Sequence, residues 1–194
     1  MGVVLAGGLG TRIGGSKATV GLGGRPLISY PLDALGAVLD DVVVLAKADT
    51  ELPSLPGMTV WIEPQAPRHP LIGVVQALAL AGSRAVLVCP VDLPFVTPRV
   101  IHALVTADPG AAPAVIATGP GGMQPLLGCY RQAALGPLSA VPAGSDVTMR
   151  DRVAALRPRL LEIDDPDALF NVNGPDDLLH AAAMLDQRRR RVRS

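Results

Sequence analysis

The sequence predicts an α/β fold: a mostly parallel, doubly wound sheet with one antiparallel edge element. Apolar β-rich runs alternate with helix-like stretches along the chain, the signature of parallel strands joined by crossover helices. Some of these runs, Val42–Ala46 among them, are apolar at every position, as a strand covered on both faces must be. The 194 residues are 49% hydrophobic and 18% charged, enough to bury a core and too apolar for a disordered chain.

In order, residues 2–6 read as the first strand and run straight into a glycine-rich segment, 7–17. A helix is expected from Pro26 to Leu39, opened by Pro26 and kinked at Pro31. Strands are expected at 42–46 and 58–62, a helix at 71–80 and an apolar strand at 85–89. Thr97 caps a helix over 98–106, with Pro98 in its favoured first position. Strands at 114–117 and 126–130 follow, the second read as an edge or antiparallel strand. Helix 147–156, strand 159–163 and helix 176–185 complete the pattern. Residues 1–187 then form one domain, and the arginine-rich stretch 188–194 is expected to be a solvated, frayed tail.

Charge and cysteine content narrow the function classes. Seventeen basic residues balance seventeen acidic ones, which argues against a nucleic-acid binder. Only Lys17 and Lys47 are lysine; the other basic residues are arginine. Cys89 and Cys129 have no companions at metal-ligand spacing and read as buried free thiols, which fits a reducing cytoplasm. His69, His102 and His180 make no zinc site. No leader-like segment and no membrane-spanning run is expected.

The chemistry concentrates at the first strand's end, Leu5-Ala6-Gly7-Gly8-Leu9-Gly10-Thr11-Arg12-Ile13-Gly14-Gly15-Ser16-Lys17. Five glycines within nine residues suit neither helix nor strand. They suit a loop whose backbone approaches a ligand, and backbone N–H groups with one arginine and one lysine suit phosphate oxygens. The dinucleotide fingerprint fails because Ile13 stands where a glycine is required. The Walker pattern fails because Ser16 precedes Lys17 and Ala18 follows it.

A second candidate is Asp92, delivered just after the apolar strand by Pro90-Val91-Asp92-Leu93-Pro94. Mg²⁺ needs few protein carboxylates when substrate phosphates and water complete its shell, so one aspartate beside a phosphate loop is sufficient. A third is Phe170-Asn171-Val172-Asn173-Gly174-Pro175, where two amides spaced two apart face one side of an extended segment.

The loop L-A-G-G-x-G-T-R-I-G-G-x-K followed by Pro26-Leu27 resembles the opening loop of nucleotidyltransferases with a Rossmann-like, GT-A-like architecture. His69-Pro70-Leu71-Ile72-Gly73, Met123-Gln124-Pro125-Leu126-Leu127-Gly128-Cys129-Tyr130 and the N-V-N-x-P run are similar to segments of the molybdenum-cofactor guanylyltransferases. The resemblance spans Val3 to Leu178. It implies transfer of GMP from GTP to the terminal phosphate of molybdopterin or its molybdenum-loaded form, with release of pyrophosphate. Molybdoenzymes or their chaperones would receive the product.

The resemblance further implies catalytic roles for Arg12, Lys17 and Asp92, with Mg²⁺ (Mn²⁺ as a substitute) on Asp92. Nucleotide and cofactor contacts are implied for Leu5, Ala6, Gly7, Gly8, Thr11, Gly15 and Gly73, and for Asn171 and Asn173 toward the pterin phosphate or a metal. The chain departs from its relatives at Ser16, at Leu45-Ala46-Lys47, at Glu63-Pro64 and at Ser145-Asp146; the last three bear on base or pterin recognition. The rivals are the cytidylyltransferase of the same cofactor pathway, which lacks the N-V-N-x-P run, and a non-catalytic nucleotide-binding domain. Lys47 has no role in any of these readings.

Overall fold

Neighbouring residues of a strand face opposite ways, and Val3 and Val4 of β1 (Gly2–Leu5) are both fully buried, so β1 must be covered on both sides. The computed structural model, which describes residues 1–8, 15–66, 69–140 and 148–193, supplies both layers. Seven strands form one sheet in the order β5-β4-β1-β6-β8-β7-β9: β4 is Val42–Ala46, β5 Thr59–Ile62, β6 Val86–Pro90, β7 Ala114–Gly119, β8 Gly122–Tyr130 and β9 Arg159–Glu162. Pairings are parallel except those of β8, which runs against both β6 and β7. This is the mostly parallel α/β sheet that the sequence predicts.

Side-chain parity sorts the core into two layers. Val4, Val44, Leu87, Cys89 and Val115 pack beneath α1 (Ser29–Gly36) and α3 (Pro98–Thr106). Val3, Val43, Leu45, Val88 and Ile116 pack against α2 (Pro70–Ala81), α4 (Leu135–Ser139) and α5 (Met149–Ala155). Each such side chain, once fully buried, contributes about 1.5–3 kcal/mol. Among the described residues, no helix is long and apolar enough to cross a membrane.

Three expectations are corrected. The antiparallel strand lies inside the sheet, not at its edge, because β7 and β9 extend the sheet beyond it. Pro125 is tolerated there because β6 pairs only with Gly128–Tyr130, and the β7 pairing shifts register from Ile116↔Gly128 to Thr118↔Met123. Pro26 does not open a helix; it pairs in a small hairpin, β2 (Gly21–Leu22) with β3 (Arg25–Pro26), turned by Gly23 and Gly24 at φ +57° and +85°. The helix starts three residues later, and Pro31 sits in its first turn, where the missing N–H leaves no gap.

The arginine-rich stretch also differs from the expected tail, since α6 continues over Pro175–Arg193. Arg188 bonds Asp167 at 3.0 Å and lies over the Phe95 ring, 4.7 Å from its centroid. Arg189 donates to the Gly23 carbonyl at 3.1 Å. A third apolar cluster, Leu22, Leu27, Phe95, Val172 and Ala181, ties α6 and the hairpin to the loop after β6.

Candidate active site

Four parallel strands, β5, β4, β1 and β6, present their carboxyl ends on one edge of the sheet. From β1 the chain moves first to β4 on one side and later to β6 on the other, and the crevice at such a switch point is where open α/β sheets bind ligands. The ladder continues one residue past each strand, by Ala6 N–H to Leu45 O at 2.8 Å, Val91 N–H to Leu5 O at 3.1 Å and Glu63 N–H to Ala46 O at 2.9 Å. Those bonds hold Glu63 and the residues after Ala6 and Val91, Gly7 and Asp92, around a single cleft.

On the β6 side the cleft is organised by Lys17. A short turn, Lys17–Thr19, is anchored by fully buried Ala18 and by Thr19, whose N–H and hydroxyl both donate to Ser16 O. From it the Lys17 ammonium reaches Asp92 Oδ2 at 2.7 Å and Asn173 Oδ1 at 2.8 Å. The pair is sheltered, its side chains only 14% and 15% exposed. The segment carrying Asn173 is pinned alongside by Val172 N–H donating to Asp92 O at 2.9 Å, and by Asp177, whose carboxylate accepts from the N–H groups of Asn173 and Gly174. Residues from three distant parts of the chain thereby form one unit.

Among the described residues, Asp92 Oδ1 is buried and has no hydrogen-bond partner. An unpartnered buried carboxylate oxygen is costly and suits a divalent cation. Among the described residues no cluster of three or more acidic, histidine or cysteine side chains could hold a metal by itself, so ligands beyond Asp92 would have to come from substrate and water.

On the β4–β5 side, Lys47 and Glu63 line the same cleft. Gly7 passes so close that a Cβ built on it would lie 1.8 Å from Glu63 Oε1; one on Gly73, in α2, would lie 3.2 Å from Oε2. A side chain at Gly7 would force the Glu63 carboxylate to shift, and one at Gly73 would press on it. His69 caps α2, its Nδ1 accepting from Leu71 N–H at 3.2 Å.

A second cleft opens on the other side of Asp92, lined by Gln124, Pro125, Thr148, Arg150 and Asn171. Its wall is the irregular part of β8, held by the buried Tyr130 hydroxyl donating to Pro125 O at 2.6 Å. Burial raises the Tyr130 pKa, so the phenol remains a donor. Asp92, Pro90 and Leu126 line both clefts.

The structure thus brings together Leu5, Gly7, Gly8, Lys17, Gly73 and Asp92 in the first cleft, and places Asn171 in the second. Asn173 joins through Lys17. Ala6 is apart, its side chain in the core. Gly15 is exposed, and a Cβ there would meet nothing within 4 Å. Thr11 and Arg12 lie outside the described residues. Arg150 escaped the sequence reading, and Lys47, Glu63 and Gln124 stood in segments it noted without being named as site residues. Lys47 and Glu63 each stand one residue past a strand's carboxyl end, as Ala6 and Val91 do, and that position is the signal that could have found them.

Residues 2–159 match the MobA-like NTP transferase domain family. A molybdenum cofactor guanylyltransferase of Cereibacter sphaeroides is 32% identical over 188 residues, covering 95% of this chain and 96% of its own. The crystal structure of molybdopterin-guanine dinucleotide biosynthesis protein A from Archaeoglobus fulgidus superposes with a TM-score of 0.76 at 26% identity, covering 96% of this chain and all of that one. A nucleotidyl transferase of Methanothermobacter shares the fold at 19% identity, with a TM-score of 0.78 over 96% of this chain and 97% of its own.

Proposed function

The chain belongs to the MobA-like NTP transferase family, and on that premise we propose that it transfers GMP from GTP to the terminal phosphate of molybdopterin or its molybdenum-loaded form. The observation that carries the reading is the shared position of Asp92, where the two clefts meet beside the Lys17 ammonium. GTP occupies the cleft between Gly7, Lys17 and Glu63; the acceptor phosphate enters from the cleft lined by Gln124, Arg150 and Asn171.

The acceptor is already a nucleophile. One of its phosphate oxygens attacks the α-phosphorus of GTP, a P–O bond forms there, and the bond from the α-phosphorus to the bridging oxygen breaks. Pyrophosphate leaves with that electron pair. No serine, cysteine or histidine nucleophile is needed, so catalysis is alignment plus charge stabilisation. Lys17 supplies positive charge beside the reacting phosphates, and Asn173 and Asp92 hold its ammonium in place. Arg12, placed by the loop motif, adds a second cation. Arg150 and Asn171 orient the acceptor.

Asp92 Oδ1 suits Mg²⁺, with Mn²⁺ as a substitute, and that ion would neutralise phosphate charge when bound. The relatives' names support guanine over cytosine. The product, a guanine dinucleotide of the cofactor, goes on to molybdoenzymes or their chaperones.

The reaction is tested with GTP labelled at the α-phosphate or at the γ-phosphate, incubated with molybdopterin, Mg²⁺ and the protein. The α label should appear in the pterin product and the γ label in pyrophosphate. Label from the γ position in the pterin, or release of free GMP without a pterin product, would contradict the proposal.

A further inference from the structure

Arg188 and Arg189 open the basic run of α6, and both turn back onto the body of the protein. The Arg188 guanidinium lies 4.7 Å from the Phe95 ring centroid, bonds Asp167 at 3.0 Å and stands 3.9 Å from Asp165. Arg189 donates to Gly23 O at 3.1 Å. A cation at a helix C-terminus is favoured by the helix dipole wherever it points. The dipole therefore does not account for these particular contacts, which the exposed Arg190 would not need to satisfy it.

The two arginines close over the apolar cluster of Leu22, Leu27, Phe95, Val172 and Ala181. That cluster draws on the same three segments that form the Lys17 unit. Phe95 stands three residues after Asp92, and Val172 immediately before Asn173. Leu22 lies in the hairpin after Lys17 and Leu27 just beyond it. Leu27 N–H to Val20 O at 2.7 Å and Ile28 N–H to Ala18 O at 3.5 Å tie that stretch back to the Lys17 turn. α6 packs on the hairpin so closely that a Cβ on Gly23 would lie 2.3 Å from Leu185 Cδ2. Arginine suits the rim of such a cluster, since its planar head covers an aromatic face while its N–H groups reach a carboxylate.

We propose that Arg188 and Arg189 are positioning residues for Lys17. By locking α6 onto the hairpin and onto the loop after β6, they hold the Lys17 ammonium against Asp92 and Asn173. Neither arginine lines either cleft. They act through Gly23 and Phe95, on the two segments that carry Lys17 and Asp92. The consequence for turnover rests on Lys17 meeting the GTP phosphates; the placement of Lys17 does not.

Lys17 and Lys47 are the only lysines of the chain, and Lys47 is 5% exposed on the opposite flank of the cleft. Amine acetylation without nucleotide, read residue by residue by mass spectrometry, thus reports the Lys17 contacts with an internal control. In Arg188→Ala/Arg189→Ala protein Lys17 should be labelled about 10-fold faster than in wild type, the combined scale of a half-exposed ion pair, a cation–π contact and a hydrogen bond. Lys47 should keep its wild-type rate. Arg189→Ala alone, which removes a single surface hydrogen bond, should show the same selectivity at smaller amplitude, and Arg190→Ala should change neither lysine. With GTP varied at saturating acceptor, the double replacement should raise KM, and the rise should vanish when Lys17 is already alanine.

A wild-type labelling rate of Lys17 in the double variant would overturn the inference. So would Lys17 and Lys47 accelerating together, which marks general loosening of the fold, or an equal rise of KM in the Lys17→Ala background. Faster labelling of Lys17 with an unchanged KM for GTP would uphold the placement and overturn instead the assignment of Lys17 to the triphosphate.

Discussion

Lys17 and Asp92, 75 residues apart in sequence, meet at 2.7 Å where the first cleft joins the second. The contact engages only one oxygen of Asp92: Oδ2 holds the ammonium, while Oδ1 is buried without a partner among the described residues. Asp92→Asn keeps the shape and removes the charge. We expect kcat to fall by at least about 100-fold, the scale seen when one electrostatic stabiliser is removed from an active site. Thermal unfolding should show the fold intact. Wild-type turnover in Asp92→Asn would remove the cation-binding assignment.

Lys17→Ala should act on nucleotide binding. It deletes a charge-assisted contact to phosphate and leaves Asp92 and Asn173 without their ammonium. KM for GTP should rise by about 10–100-fold, the value of one hydrogen bond between charged groups. Steady-state kinetics with GTP varied at saturating acceptor measure it, and an unchanged KM would place the triphosphate elsewhere.

Gly7→Ala and Gly8→Ala form a matched pair. A Cβ on Gly7 would meet Glu63 Oε1 at 1.8 Å, whereas one on Gly8 meets nothing within 4 Å. Overpacking of this kind costs about 1–3 kcal/mol. Gly7→Ala should therefore lower Tm by about 2–12 °C and weaken GTP binding by displacing Glu63. Gly8→Ala should unfold at the wild-type temperature. Differential scanning calorimetry separates them, and equal Tm values would show that the Glu63 side chain moves aside at no cost.

Tyr130→Phe tests the second cleft. The lost hydroxyl anchors Pro125, in the wall facing Asn171 and Arg150. Removing that bond costs about 1 kcal/mol or slightly more. The functional effect should be selective, raising KM for molybdopterin while leaving KM for GTP near wild type. The reverse selectivity would exchange the roles of the two clefts.

The cysteines offer a test of the core. Burial raises the thiol pKa of Cys89 strongly, with the Asp92 charge adding to it, and burial raises that of Cys129 as well. Only thiolate reacts, and a free cysteine is half ionised near about pH 8.5. In the native protein at that pH, Cys89 should resist a disulfide reagent until denaturant is added, while the less buried Cys129 reacts slowly. Rapid native labelling of Cys89 would contradict the packing of β6.

The fold was legible because the parallel strands of a two-layered sheet must be apolar on both faces, and runs such as Val42–Ala46 leave no other reading. The loop drew attention in the sequence because its glycines suit neither helix nor strand, and the structure brings Gly7, Gly8 and Lys17 to the first cleft. Other features were hidden by their dependence on partners distant in sequence. Pro26 reads locally as a helix opener, and only the return of Gly21–Leu22 alongside makes it a strand. Arg188 reads as solvated until Phe95 and Asp167 are brought beneath it. Lys47 is one charged residue after five apolar ones, and its meaning depends on Glu63 and Pro64 arriving from the next strand.

A comparison of the four nucleotides tests the central claim most directly. The protein is incubated with molybdopterin, Mg²⁺ and GTP, CTP, ATP or UTP in separate reactions, and the pterin product is identified by mass. The account predicts one product, molybdopterin joined to GMP, with pyrophosphate released in equal amount. A CMP adduct from CTP with none from GTP, or no adduct from any nucleotide, would contradict it.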